Sequence, residues 1–210
     1  YLIVVIFFLI LTLVSEEKIP KKIFLVLIFI SCIISLFINF SNRSTFVNLK
    51  ETPRYLLPVD LKKKNISIKL ATTEAGSIPF YSKLYTVDLF GLNTKELAKK
   101  PAGGKYLIDN DFDIILITSG QFGTNCNGLK KFYLASRNIK PKEYIDRNSN
   151  WDTFTMQLLS GINKERYQSF LIPIYSSRKD DNSFFFIDKK SKEFSSIQKS
   201  MIKFGKECKF

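Results

Sequence analysis

The sequence predicts an α/β protein: two N-terminal transmembrane helices followed by a Rossmann-like α/β extracytoplasmic domain. Three observations carry this expectation. Residues 1–14 contain no charge and a single aliphatic hydroxyl, Thr12. Residues 23–40 are again uncharged, with Ser31, Cys32, Ser35 and Asn39 as their only polar interruptions. From residue 41 onward, strand-like and helix-like patterns alternate in the order an α/β sheet requires.

The average composition hides this division. A hydrophobic share of 45% and a mean hydropathy of +0.00 would suit an ordinary soluble protein. An uncharged run of about 18 residues is long enough to cross a hydrocarbon core roughly 30 Å thick. The run over 23–40 reaches that length. The run over 1–14 falls short and begins at Tyr1, so it reads as a truncated span, cut inside a membrane helix. A signal peptide would show one short apolar core, a basic start and a small-residue cleavage site; none of these is present. A buried helical hairpin is equally unsuited, because 210 residues supply too little surrounding structure to cover two all-apolar helices.

Residues 15–22 form a polar turn between the runs, with Glu16, Glu17, Lys18, Pro20, Lys21 and Lys22. Its three lysines place this loop on the cytoplasmic side by the positive-inside rule. The domain over 41–210 is then extracytoplasmic, at the bacterial inner (plasma) membrane.

The formal charge of +13 lies mostly in that domain. A basic, aromatic-rich protein could bind nucleic acid through stacking. Here the lysines are scattered and the Phe residues sit in apolar runs such as Ser183-Phe184-Phe185-Phe186-Ile187. Attraction to anionic lipid headgroups fits that pattern better. The expected partner is therefore the lipid bilayer, with no nucleic acid.

The chain has no histidine and three cysteines. The first excludes a Ser-His-Asp triad and an HExxH zinc site. Cys32 lies in the apolar run. Cys126 and Cys208 could pair in an oxidising compartment, but spacing alone does not bring them within bonding distance.

Taken in order, 41–60 reads as a polar stalk with a helix over 46–57 closed by Pro58. Residues 65–72 alternate apolar and polar with β-branched side chains, a strand. Residues 73–82 read as a loop with a helical turn, and 85–89 as a second strand. Thr94 caps a short helix through Lys100, with Glu96 in its first turn. Pro101-Ala102-Gly103-Gly104 breaks the chain, and 106–111 permit another helical turn. Residues 113–119 are a continuous apolar strand of the kind buried on both faces. Residues 120–138 are loop-rich. Helices are expected over 150–162 and 195–204, and a hairpin over 169–176 and 183–188, turning at Asp180-Asp181-Asn182.

In an open α/β sheet, ligands bind beyond the carboxyl ends of strands. The loops after the first two strands carry Glu74, Gly76, Tyr81, Asp88 and Asn93, which could supply hydrogen bonds to a hydroxylated ligand. The plainer reading gives Gly76 and Gly91 to turns and lets Asp88 and Asn93 cap the backbone. Ser119-Gly120-Gln121-Phe122-Gly123 fits neither the P-loop nor the GxGxxG pattern. Asp109, Asp111 and Asp113 alternate like Ca²⁺ ligands, yet lack the glycine and distal glutamate of such a loop.

Two segments carry a resemblance. Glu74-Ala75-Gly76-Ser77-Ile78-Pro79-Phe80-Tyr81-Ser82 and Val87-Asp88-Leu89-Phe90-Gly91-Leu92-Asn93 resemble a signature of bacterial GT-C-type integral membrane glycosyltransferases. The closest are arabinofuranosyltransferase-like and other transferases that use polyprenyl-phosphate sugars. Phe112-Asp113-Ile114-Ile115-Leu116 is similar to the strand that follows, with Phe112 where that family has proline. The resemblance implies transfer of a sugar from a lipid-linked donor to a cell-envelope glycan, lipid or protein acceptor. It implies substrate contacts at Glu74, Gly76, Tyr81, Asp88 and Asn93, and no cofactor besides the lipid-phosphate sugar, with metal dependence open. The family's catalytic acid lies in an early extracytoplasmic loop outside this sequence, so no catalytic residue is assigned. The other expectation is a membrane-anchored binding or scaffold domain without chemistry of its own.

Overall fold

The computed structural model describes residues 52–74, 76–119, 125–173 and 182–209, together with Val26, Ile30, Ile33 and Lys50. The chain divides into two compact units, Tyr1–Leu49 and Lys50–Phe210. In the first, Val26, Ile30 and Ile33 are helical and exposed.

The second unit is mixed α/β. Its elements are α1 (Pro53–Lys63), β1 (Lys69–Thr72), α2 (Ser77–Ser82), β2 (Tyr85–Asp88), a 3₁₀ turn (Lys95–Leu97), α3 (Gly104–Asp109) and β3 (Ile114–Ser119). There follow α4 (Cys126–Ser136), α5 (Trp151–Ser160), β4 (Tyr167–Pro173), β5 (Asn182–Asp188), α6 (Phe194–Phe204) and β6 (Lys206–Cys208). The six strands make one sheet in the order β2-β1-β3-β5-β4-β6. β1 pairs in parallel with β2 and β3, whereas β3–β5, β5–β4 and β4–β6 are antiparallel.

The fold-class expectation needs correction. Among the described residues no helix is long and apolar enough to cross a membrane. The longest have 11 residues and span about 16 Å, half of a hydrocarbon core. The two expected spans, 1–14 and 23–40, lie outside the described residues apart from Val26, Ile30 and Ile33. The class shown is therefore mixed α/β with a six-stranded sheet, and the two expected transmembrane helices are not found among the described residues. The Rossmann-like description also holds only for the parallel half. β4 and β5 follow one another as a hairpin, which requires antiparallel pairing.

Period-2 alternation explains the layers. Ile115, Ile117, Phe184 and Phe186 belong to one apolar cluster, with Leu107, Leu129, Phe154 and Leu158 of α3, α4 and α5. Ile114, Leu116, Phe185 and Ile187 belong to the other, with Leu57 and Leu61 of α1 and Ile197 and Met201 of α6. The central strands are thus buried on both faces, which is why they read as unbroken apolar runs.

Several boundaries moved. Pro58 lies inside α1 rather than closing it, and is buried with Leu57 and Leu61. Packing of this face offsets the missing N–H, and Pro53 takes the first helical position, where no donor is needed. The segment expected to be loop-rich contains α4, whose first turn is capped by Asn125 accepting from the Gly128 amide at 3.0 Å. α5 begins where expected, with Asn150 accepting from the Thr153 amide at 2.8 Å. The Asp180-Asp181-Asn182 turn lies outside the described residues, save the backbone of Asn182. α3 and α5 meet through glycines: a Cβ on Gly161 would overlap the Gly104 carbonyl oxygen.

α1 and α6 are joined by a polar clasp. Ser200 donates to Asp60 Oδ2 at 2.7 Å, Lys203 to Oδ1 at 3.2 Å, and Lys64 lies 3.2 Å from Oδ2. Burial alone would raise the Asp60 pKa, but the hydrogen bonds from Ser200, Lys203 and Lys64 outweigh it and hold the carboxyl below its usual value. A carboxyl with a lower folded than unfolded pKa adds stability above the unfolded value and loses it as pH falls through the folded one. Urea midpoints of Asp60→Asn should therefore converge with those of the native chain below about pH 4. Curves that stay parallel down to acid would refute this coupling.

Candidate functional site

The carboxyl ends of β1, β2 and β3 lie side by side and carry the loops that the sequence singled out. The loop after β1 is fixed to the sheet by backbone and hydroxyl bonds. Thr72 Oγ1 accepts from the Glu74 amide at 2.9 Å, the Thr73 amide donates to the Leu116 carbonyl at 3.0 Å, and Thr73 Oγ1 accepts from the Thr118 amide at 3.0 Å. Three threonines thus hold Glu74 in place through β1 and its neighbour.

Glu74 forms an ion pair through Oε1 with Arg54 of α1, and the same guanidinium donates from Nε to Ser77 Oγ at 2.7 Å. Glu74 Oε2 is buried and, among the described residues, has no hydrogen-bond partner. Gly76 keeps this cluster open, since an added Cβ would lie 3.1 Å from Glu74 Oε1 and 3.5 Å from Arg54 Nη2. The same two helices, α1 and α2, carry aromatic rings. Tyr81 meets Tyr55 edge-on at 4.7 Å and Phe80 at 5.0 Å. Phe80 is 62% exposed, with the Lys83 ammonium 4.5 Å from its ring centre.

Asp88 and Asn93 belong to the next loop and play a different part. Asp88 is buried, and its Oδ1 accepts from the amides of Phe90 at 3.0 Å and Gly91 at 3.2 Å. Its Oδ2 accepts from the Asn93 amide at 2.9 Å. The carboxylate is thus occupied by its own loop, as the plainer reading of the sequence held. Asn93 supplies only its amide to this arrangement, and the residue is exposed. Thr94 Oγ1 accepts from the Asp88 amide at 2.8 Å instead of capping a helix. Gly91 sits at φ +84°, and a Cβ there would overlap the Leu97 carbonyl.

Sequence reasoning missed Arg54, Tyr55 and Arg147. Arg54 pairs with a residue twenty positions later, and no local pattern marks such a partner. Arg147 donates from Nη2 to the Phe90 carbonyl at 3.0 Å and the Leu97 carbonyl at 3.4 Å, with its guanidinium 5.1 Å from the Phe90 ring centre. It closes the loop after β2 from outside.

The alternating aspartates are ordinary structural groups. Asp113 accepts from the Lys69 amide at 2.7 Å and from Ser191 at 2.5 Å. Asp111 pairs with Arg166, whose hydrogen bond is the main reason its carboxyl is held below its usual pKa. Arg166 also pairs with the buried Asp188 at 2.6 Å. Among the described residues no group of three His, Cys, Asp or Glu side chains could hold a metal ion. Residues 120–123 lie outside the described residues.

Cys126 and Cys208 are joined in a disulfide, with Cα atoms 5.2 Å apart. It links the first turn of α4 to β6 across 82 residues of sequence.

Fold and site together define a class: a disulfide-linked mixed α/β domain with a polar and aromatic cluster at the carboxyl edge of its parallel strands. The chain belongs to the family described as domain of unknown function (DUF8728), whose model matches residues 60–171, just over half of its length. That span runs from α1 into β4 and holds Glu74, Gly76, Tyr81, Asp88, Asn93 and Arg147, but not Arg54. No curated protein and no solved structure matches the chain.

Proposed function

We propose that this domain binds carbohydrate at the carboxyl edge of β1, as the acceptor- or donor-contacting part of a GT-C-type glycosyltransferase. In this reading the enzyme moves a sugar from a polyprenyl-phosphate donor to a cell-envelope glycan, lipid or protein, on the outer side of the bacterial plasma membrane. The observation that carries it is Glu74 Oε2, buried and without a hydrogen-bond partner among the described residues, in the loop leading into the helix that bears the exposed Phe80 and Tyr81 rings. A sugar offers hydroxyl donors at its rim and polarised C–H groups on its face. The first satisfy a fixed carboxylate oxygen, and the second lie against the negative face of an aromatic ring. The disulfide supports an oxidising, extracytoplasmic setting.

A second reading, a binding domain without chemistry, draws on a specific feature. Glu74 is the cluster's carboxylate, and its pairing with Arg54 fixes it in place to hold a hydroxyl. Sugar transfer by the full-length protein, measured with Glu74→Gln, separates the two. Oligosaccharide titration of the chain tests the shared claim. Phe80→Ala should weaken binding about tenfold, the equivalent of ~1.4 kcal/mol. Glu74→Gln should cost about 1.5–3 kcal/mol, as loss of a hydrogen bond to a charged group. If no glycan of the panel produces a saturable response, the carbohydrate reading falls.

A further inference from the structure

We propose that the hollow between Lys99–Lys100 and Tyr144–Arg147 is a binding site for a phosphoryl group, carried by a phosphate monoester. This goes beyond the carbohydrate reading and stands whether or not that reading does, since no residue is shared between the two sites.

The hollow is about 500 Å³ and is lined by Lys99, Lys100, Tyr144, Ile145, Asp146 and Arg147. Three of these side chains are cations. Asp146 is the one carboxylate, and its Oδ1 is already taken by the Asn148 amide at 2.9 Å. The formal charge of the lining is +3 from Lys99, Lys100 and Arg147 and −1 from Asp146, hence +2. That complements a phosphate monoester, which carries close to two negative charges at neutral pH.

Arg147 is held ready before any ligand arrives. Two of its five N–H donors go to the Phe90 and Leu97 carbonyls, and its plane rests near the Phe90 ring. These contacts fix the guanidinium without neutralising it, because carbonyls carry no formal charge. Its Nε is buried and, among the described residues, has no acceptor. A guanidinium that keeps its charge, with an Nη1 that those carbonyls do not use, is suited to a charge-assisted hydrogen bond to a phosphate oxygen. Lys99 and Lys100 supply the rest of the positive charge in the lining. The site also lies past the end of β2, the edge at which ligands of such sheets bind.

A built-in reporter makes the proposal testable. Trp151 is the chain's single tryptophan. Its ring centre lies 5.8 Å from that of Phe90, the ring under Arg147. Titrating the full chain with inorganic phosphate at constant ionic strength, with chloride as control, should give a saturable change in Trp151 fluorescence. The exposed pair Lys99→Gln with Lys100→Gln should fold normally and raise the dissociation constant at least tenfold. Arg147→Lys keeps the charge but loses the carbonyl contacts that orient it, and should weaken binding further. Short-chain phosphatidic acid, kept below its micelle concentration, separates the sources of the group. Binding at least tenfold tighter than inorganic phosphate marks a lipid headgroup, and equal binding marks a soluble phosphorylated ligand. The proposal is overturned by the absence of a saturable response to either probe, or by native affinity in the double lysine variant.

Discussion

Removing the disulfide should lower the stability of the folded domain by roughly 4 kcal/mol. The Cys126–Cys208 link spans 82 residues of sequence, and a crosslink stabilises chiefly by restricting the unfolded chain, more for longer loops. Cys208 is buried in the cluster beside Phe184 and Phe186, so its loss also removes packing from β6, a strand of three residues. For a domain of this size such a change should lower the melting temperature by about 8–16 °C. The measurement is thermal unfolding of the native chain with and without reductant, alongside Cys126→Ser with Cys208→Ser. Agreement between the reduced native chain and the double variant would assign the effect to the crosslink. Identical melting of oxidised and reduced protein would show that the link contributes nothing.

Asp88→Ala should destabilise by about 4 kcal/mol, although the sequence presents Asp88 as a ligand contact. One buried carboxylate serves three amides, those of Phe90, Gly91 and Asn93. Removing it takes the side-chain acceptor from the Phe90 and Asn93 amides, at about 1–3 kcal/mol each before relaxation, while Gly91 keeps the Asp88 carbonyl at 3.0 Å. Asp88→Asn retains one oxygen and should lose about half as much. Hydrogen exchange at those three amides provides the local check: protection should fall there first in both variants. If instead Asp88→Ala keeps full stability while losing carbohydrate binding, Asp88 is a ligand contact and the structural assignment is wrong.

These two expectations show where the sequence was legible. The strands were readable because burial follows the period of two. The segments 113–119 and 183–188 are apolar on successive residues, and β3 and β5 are buried on both faces. Asn150 and the apolar stripe behind it announced α5 with a local cap. α4 was missed because its cap, Asn125, follows the glycine-rich stretch over 120–123, which outweighed the pattern beyond it. Pro58 misled for the opposite reason: a local rule about proline gave way to the packing of Leu57 and Leu61 against α6.

The candidate site divided along the same line. Glu74, Gly76 and Tyr81 were chosen because they follow a strand in a segment that contains a glycine. Asp88 and Asn93 were chosen on the same ground, yet Asp88 is consumed by its own loop. What distinguishes the two loops is where each carboxylate's hydrogen bonds go, and that is a property of backbone direction rather than of residue type.

By itself the sequence determined the alternation of strands and helices, the doubly buried β3 and the loops that follow the first two strands, because these depend on periodicity and local turn chemistry. Only the tertiary structure decided the antiparallel half of the sheet, the Arg54–Glu74 pair, the placement of Arg147 against Phe90 and the Cys126–Cys208 link. Each of these joins residues far apart in the chain, and their pairing is settled by how the layers pack. No local spacing records it.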